Sequence, residues 1–238
     1  SFTGNIMRAL SLCQDKFKAK AVLASHGLPT PPARLVRSLE EAPDLKFPLI
    51  LKPNAEDASM GITPRSVVRD KKEYLGLLSE LRERFGFPIL AEEFIEGREF
   101  IVAVMQEAEV KALPVSEIDF SALPKDQPHI VSYEAKWFET SELYIKTPPL
   151  CPAPIEDDLR LHLQETAVRA FRILGCRDYA RVDFRMDKRG RVFILEVNPN
   201  PDVSLNAGFA RALKAAGIEY GQFWKQMIHN ALHRNGQP

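Results

Sequence analysis

The stretch RVFILEVNPNPDVS, residues 191–204, runs from an apolar segment, Val192 to Leu195, into an acid, Glu196. An amide, Asn198, and two prolines, Pro199 and Pro201, follow. A carboxylate and a carboxamide side by side at the end of a buried strand are hard oxygen donors, the set that suits a hard cation. Upstream, DYARVDFRMD supplies a second acid, Asp183, and a cation, Arg181, on what reads as the partner strand of a hairpin. With a four-residue connection from Asp187 to Gly190, Met186 faces Arg191, Arg181 faces Glu196, and Asp183 lies diagonally from Glu196 on the same side. The side-chain period of two puts Asn198 there as well, whereas a three-residue loop would send Asp183 and Glu196 to opposite faces. Asp183, Glu196 and Asn198 together suit Mg²⁺, which takes few protein ligands and fills its octahedron with water and phosphate oxygens. The same residues also fit a solvated hairpin face on which Arg181 pairs with Glu196.

Cations that could meet an anion are spread along the chain. Lys52 ends the apolar strand FPLILKP, where an ammonium is stiffly held and poorly hydrated unless an anion such as a nucleotide phosphate meets it. A lysine there can equally snorkel to solvent. The following NAEDASMGI is a possible phosphate-covering loop, with Gly61 its one glycine and a composition poor for a phosphate cradle. Lys16 lies in a helical segment and Lys136 in SYEAKW, and neither is informative alone. LAEEFIEGREF, residues 90–100, carries an apolar strand into Glu92, Glu93 and, after a turn, Glu99. Backbone groups at such a strand end can read an adenine edge, and a carboxylate beyond can accept from ribose hydroxyls. An acidic hairpin turn is the alternative reading.

The elements that must position these groups follow from periodicity. QDKFKAKAVLASH, residues 14–26, has helical spacing stopped by Gly27 and three prolines. Asp70 and Glu73 form a possible capping box for a helix over 71–85, with Tyr74, Leu77, Leu78, Leu81 and Phe85 inward. Strands are expected over 87–95 and 98–105, separated by a turn at Gly97, with 110–118 extending the sheet. Residues 116–154, proline-rich from Pro124 to Pro154, show no sustained period and read as a mobile or substrate-covering loop. A helix over 155–174, with Leu159, Leu163, Ala167, Ala170, Phe171 and Leu174 on one face, ends at Gly175. The hairpin follows, and residues 204–235 close with two helical patterns broken near Gly217.

Composition bounds the rest. With 32 basic and 32 acidic residues among 238, no field of one sign exists to recruit nucleic acid or an anionic membrane. No apolar run reaches the roughly 20 residues of a bilayer span, and the N-terminus has no signal design, so the chain reads as cytoplasmic. Cys13, Cys151 and Cys176 are an odd, scattered set that reads as plain thiols. The chain opens at Ser1 without a methionine, as if it continued a removed segment.

The order of these motifs resembles the ATP-grasp superfamily, most closely the D-alanine:D-alanine ligase family: FTGN…ALSLCQDKFKAKAVLASHGLPTPP, FPLILKP, EEFIEGREF, YEAKW, ARVDF and LEVNPNP follow one another over nearly the whole chain. The resemblance implies an α+β ATP-grasp fold of two subdomains, each with an antiparallel or mixed sheet and packed helices, with ATP between them. Residues 1–96 would be the small (lid) subdomain with a preceding linker helix. Residues 97–238 would be the large subdomain with the metal site and covering loop. It implies that Lys16, Lys52 and Ser59 serve the ATP phosphates, the backbone around Glu92, Phe94 and Ile95 binds adenine, and Glu99 binds ribose. Lys136 would reach the terminal phosphate, Arg181 would stabilise the transferring phosphoryl group, and Asp183, Glu196 and Asn198 would hold two Mg²⁺ ions, Mn²⁺ being an alternative, with Glu196 bridging. The implied reaction joins a carboxylate to an amine through an acyl phosphate, on amino-acid or peptide substrates, in a chain that a homodimer would also suit.

The sequence also departs from that family. Asp57, Ala58 and Ser59 stand where a glycine and two serines are common, so a hydroxyl expected to help hold substrate is missing. Pro201, Asp202 and Val203 replace a Pro-Gly-Met run, and Ala207 replaces a serine expected to hold the second substrate's carboxylate. The family's N-terminal domain is missing. The nucleotide half is thus kept and the amino-acid half changed, implying substrates other than two D-alanines. A true D-alanine:D-alanine ligase and a non-catalytic ATP-binding fragment are the alternatives.

Overall fold

The computed structural model describes residues 1–41, 43–57 and 59–234; Ala58 of the loop read above lies outside them. Two helices open the chain, α1 (Met7–Gln14) and α2 (Lys16–Ser25). The sequence pattern predicts only one helix here. Asp15 breaks the pair: its backbone is extended and its carboxylate accepts the Lys18 amide (3.1 Å), capping α2. Gly27, at φ +73°, ends it.

The first sheet is antiparallel throughout, in the order β1 (Ala33–Val36), β4 (Ile89–Glu93), β2 (Leu49–Pro53), β3 (Val67–Val68). Helix α3 (Lys71–Phe85) covers one face, laying Tyr74, Leu77, Leu78 and Leu81 on Leu49, Leu51, Ile89 and Ala91. Asp70 caps α3 through the Glu73 amide (2.9 Å). The return bond of the expected capping box is shifted by one residue, Glu73 accepting from the Arg69 amide (2.7 Å).

The second sheet takes β5 (Gly97–Gln106), β6 (Val110–Ala112), β7 (Ser116–Ile118), β8 (Pro149–Leu150), β9 (Tyr179–Asp187) and β10 (Val192–Asn198), in the order β10-β9-β5-β7-β8, with β6 also on β5. Between β7 and β8 the chain forms two short helices, α4 (Tyr133–Trp137) and α5 (Glu142–Ile145), so the segment read as structureless is partly helical. The rest is α6 (Asp157–Ile173), α7 (Gly208–Ala215) and α8 (Tyr220–His233). The strands over 87–95 and 98–105 do not pair with each other. They enter different sheets, and the crossing between the sheets falls at Phe94–Glu96.

Period two gives the second sheet two different faces. Phe100, Val102, Val104, Val182 and Phe184 point to one side, under α6 and the helices α1 and α2. On the other side Ala103, Met105 and Tyr179 lie beneath Phe209, Phe223 and Met227 of α7 and α8. Farther along that same side the apolar set gives way to Glu99, Arg181, Asp183 and Arg185, and the helices no longer cover them. A charged half-face left open beside an apolar, covered one is where a polar ligand can bind without a rebuilt core. Among the described residues no helix is long and apolar enough to cross a membrane, and the three cysteines carry no disulfide.

Gly97 is the residue that lets β5 start there. Its φ is +154°, and a Cβ on it would lie 2.0 Å from the Met186 carbonyl oxygen. Gly97→Ala is expected to lower the unfolding free energy by about 3 kcal/mol, read from urea denaturation.

Candidate active site

Strands β9 and β10 pair with Val192 opposite Met186 and Ile194 opposite Phe184, then slip by one residue so that Glu196 lies opposite Asp183 and Asn198 opposite Arg181. The predicted register, with Arg181 facing Glu196, is therefore corrected. The loop is one residue longer than expected, which alone would have turned Glu196 away from Asp183. A β-bulge at Leu195 restores the common face, so Arg181, Asp183 and Glu196 still point into one cleft.

Within that cleft the charges are interleaved. Arg181 grips Asp183 with two donors, Nε at 2.7 Å and Nη2 at 2.8 Å. The guanidinium pKa is raised because Asp183 and Glu196 outweigh its burial. Glu196 lies 3.8 Å from Lys16 Nζ and 3.9 Å from Arg181 Nη2. Burial opposes its ionisation, yet Lys16, Lys52, Arg181 and Lys136 together hold its pKa down at about 2. Lys136, on α4, is brought over this face by the Ser132 cap and by the Tyr133 amide donating to the Ile62 carbonyl (3.0 Å). Burial and the nearby Arg181 lower its pKa. Asn198 shares the face but not the lining: its Oδ1 accepts from the Asn200 amide (2.9 Å) and shapes the turn after β10.

Lys16 sits at the first position of α2, buried, donating to Asp57 (3.2 Å) and to the Glu56 carbonyl. Asn54, just past β2, fixes that helix start: its side chain accepts from the Phe17 amide (3.0 Å) and its carbonyl from the Lys16 amide (3.2 Å). Lys52 is 6% exposed, so the solvent-snorkelling alternative does not hold. Its ammonium meets Glu92 Oε1 at 3.3 Å. Glu92 is 1% exposed and meets a second lysine, Lys20, at 2.7 Å through Oε2. Burial pushes the pKa of this carboxylate up, and the two lysines outweigh it and bring the pKa down. Sequence reasoning missed Lys20; its signal is the four-residue spacing from Lys16, which puts both on one helix face.

Phe94, Ile95, Glu99, Ile101 and Ile118 also line the cleft. The Phe94 amide is committed to the Pro48 carbonyl (2.9 Å), so its ring and carbonyl are what it offers a ligand. Glu99 does not stand alone as a hydroxyl acceptor: Arg185, also buried, meets it at 3.1 Å. Arg185 further donates to the Gly97 carbonyl (3.2 Å) and the His129 carbonyl, and lies over the Phe94 and Phe120 rings. Burial raises the Glu99 pKa and lowers that of Arg185. Arg185 too was missed, although it lies two residues beyond Asp183 and hence on the same strand face. Ser59 lines the cleft from a left-handed backbone (φ +60°).

The cleft holds about 490 Å³, enough for a nucleotide-sized ligand. Its lining also includes Asp202, Asn206, Ala207 and Arg211. Among the described residues no three His, Cys, Asp or Glu side chains gather as a metal cluster. The donors are two opposed carboxylates, Asp183 and Glu196, and the lining holds neither imidazole nor thiol. That chemistry fits a hard cation completed by water and phosphate oxygens and does not fit a protein-caged transition metal.

Removing one partner of the buried Arg185–Glu99 pair leaves an uncompensated charge. Arg185→Ala is expected to destabilise the fold by about 3–5 kcal/mol in chemical denaturation. Adding Glu99→Gln should restore part of that loss.

A family model described as the D-ala D-ala ligase C-terminus matches residues 9–229. An uncharacterized protein, y4sG, of Sinorhizobium fredii is 33% identical over 98% of the chain and 67% of its own length. The D-alanine–D-alanine ligase of Bordetella pertussis is 37% identical over the whole chain and 72% of its own length. The solved D-alanine–D-alanine ligase of Bacillus anthracis complexed with ATP superposes with a TM-score of 0.75 at 22% identity, covering 97% of this chain and 70% of that one, which bears on fold. The family model, these relatives and the two-sheet architecture agree: the chain belongs to the D-alanine–D-alanine ligase family of ATP-grasp ligases and corresponds to its C-terminal part.

Proposed function

We propose that this chain is the nucleotide-binding, catalytic part of an ATP- and Mg²⁺-dependent ligase that joins a carboxylate to an amine, with an amino-acid pocket of its own. One observation carries the reading. The Arg181–Asp183–Glu196 face and Lys136 open onto the same cleft as Lys52, Phe94 and Glu99, so phosphate-neutralising and nucleoside-sized contacts belong to one site. The division into residues 1–96 and 97–238 is retained for the strands. The apolar faces of α1 and α2 support assigning those helices to the larger unit.

Phosphoryl transfer needs positioning and charge neutralisation more than a covalent nucleophile. In our reading the substrate carboxylate oxygen attacks the γ-phosphorus, the bond to ADP breaks, and an acyl phosphate forms. The amine nitrogen then attacks that carbonyl, loses a proton, and inorganic phosphate leaves. Lys16 and Lys52 hold the ATP phosphates with help from Ser59, Lys136 covers the terminal one, and Arg181 meets the oxygens on which charge builds. Asp183, Glu196 and Asn198 would hold two Mg²⁺ ions, or Mn²⁺ in their place, which when bound screen the phosphates. The backbone of Glu92, Phe94 and Ile95 would contact adenine. Glu99 would reach the ribose hydroxyls together with its partner Arg185. Substrates are small amino acids or peptides, and a cytoplasmic location and a homodimer complete the proposal.

The amino-acid end supports altered substrates. Asp202 accepts from the Ser204 amide (2.9 Å) and hydroxyl, and these bonds lower its pKa. Arg211 also lines the cleft, tied to the Asn206 carbonyl at 2.6 Å. An acid and a guanidinium in the lining select differently from a small hydroxyl-lined pocket.

Two measurements test this. A panel of amino acids scored by ATP-dependent phosphate release should show turnover beyond D-alanine; strict use of D-alanine would remove the altered-pocket claim, and ATP binding without release for any pair would leave a nucleotide-binding module. Glu196→Gln should reduce turnover at least about a hundredfold with an unchanged melting temperature.

A further inference from the structure

Lys20 is 4% exposed and takes none of the roles given above. Three buried charges alternate across the joint between α2 and the first sheet: Lys20, Glu92 and Lys52, at 2.7 and 3.3 Å. The Lys20 ammonium also donates to the Leu195 carbonyl at 2.6 Å, the residue at which β10 bulges. One side chain thus touches the nucleotide end of the first sheet and the bulged strand of the second.

We infer that Lys20 is a positioning residue whose charge offsets Glu92, leaving Lys52 with the net positive charge that a nucleotide's phosphates require. The inference rests on the nucleotide reading above. An unopposed Glu92 would bind Lys52 as a closed, neutral pair, because a buried carboxylate takes the nearest cation available. With Lys20 present the carboxylate is shared, and the trio carries one net positive charge. The Lys20 ammonium meets Glu92 Oε2 at 2.7 Å, a close contact between opposite charges. Burial brings the Lys20 pKa down to about 8 against the pull of Glu92. A lysine kept in such a place while its surroundings disfavour it is there for its charge.

The test is Mg-ATP affinity, measured by calorimetry on the full chain, with thermal unfolding to confirm folding. Lys20→Gln keeps a donor for Leu195 but no charge, and it should bind Mg-ATP about tenfold or more weakly than wild type. In a Glu92→Gln background, where no carboxylate captures Lys52, adding Lys20→Gln should change affinity by less than about twofold. Lys20→Arg, which keeps the charge, should stay within about threefold of wild type. Equal affinity of Lys20→Gln and wild type, or the same loss in both Glu92 backgrounds, overturns the inference. So does a tenfold loss in Lys20→Arg, which serves as the test if Lys20→Gln does not fold. Wild-type protein that binds no Mg-ATP at all overturns the nucleotide reading instead.

Discussion

Glu196 reaches the cleft because β10 carries one extra residue, Leu195, between two stretches of regular pairing with β9. Side chains alternate faces along a strand, so without the bulge every residue after Ile194 would point the other way. The acid would then sit over the apolar core formed with α1, α2 and α6, and Asp183 would face the cleft without it. At the bulge the Leu195 carbonyl accepts from the Lys20 ammonium at 2.6 Å. The approach of Lys16 and Arg181 to Glu196 presupposes this register.

The second constraint is electrostatic. Lys16, Lys20, Lys52, Glu92, Glu99, Asp183 and Arg185 are all buried. Ions out of water are tolerated only when partners and hydrogen bonds replace the lost hydration, and such networks contribute little to net stability. Here the partners come from both sheets and from α2. Lys16 and Glu196 join α2 to β10, Lys20 and Glu92 join α2 to β4, and Glu99 and Arg185 join β5 to β9. A polyanion placed among them would meet cations already oriented, which is electrostatic preorganisation.

The hydrophobic cores against the two sheets explain why the charged groups meet where they do. Helix α3 covers only the first sheet, while α6, α1 and α2 cover one side of the second and α7 and α8 half of its other side. The remaining half-face of the second sheet and the end of the first are left to each other. The charged cleft occupies that junction.

Much of this was legible in the sequence. The period of 3.6 residues gave α3 and α6, Asp70 and Gly175 marked helix ends, and the alternation in ARVDF and FILEVN marked the hairpin and the acids on it. These depend on local backbone preference and on side-chain spacing, both carried by neighbouring residues. What the sequence could not determine was which sheet each strand joins, the bulge that sets Glu196 opposite Asp183, and the pairing of Glu99 with Arg185 and of Glu92 with Lys20. Lys20 and Leu195 are 175 positions apart, and their contact depends on how α2 packs against the second sheet. Local spacing determined which residues could do the chemistry; long-range packing and the cost of leaving a buried charge unpaired decided which of them meet.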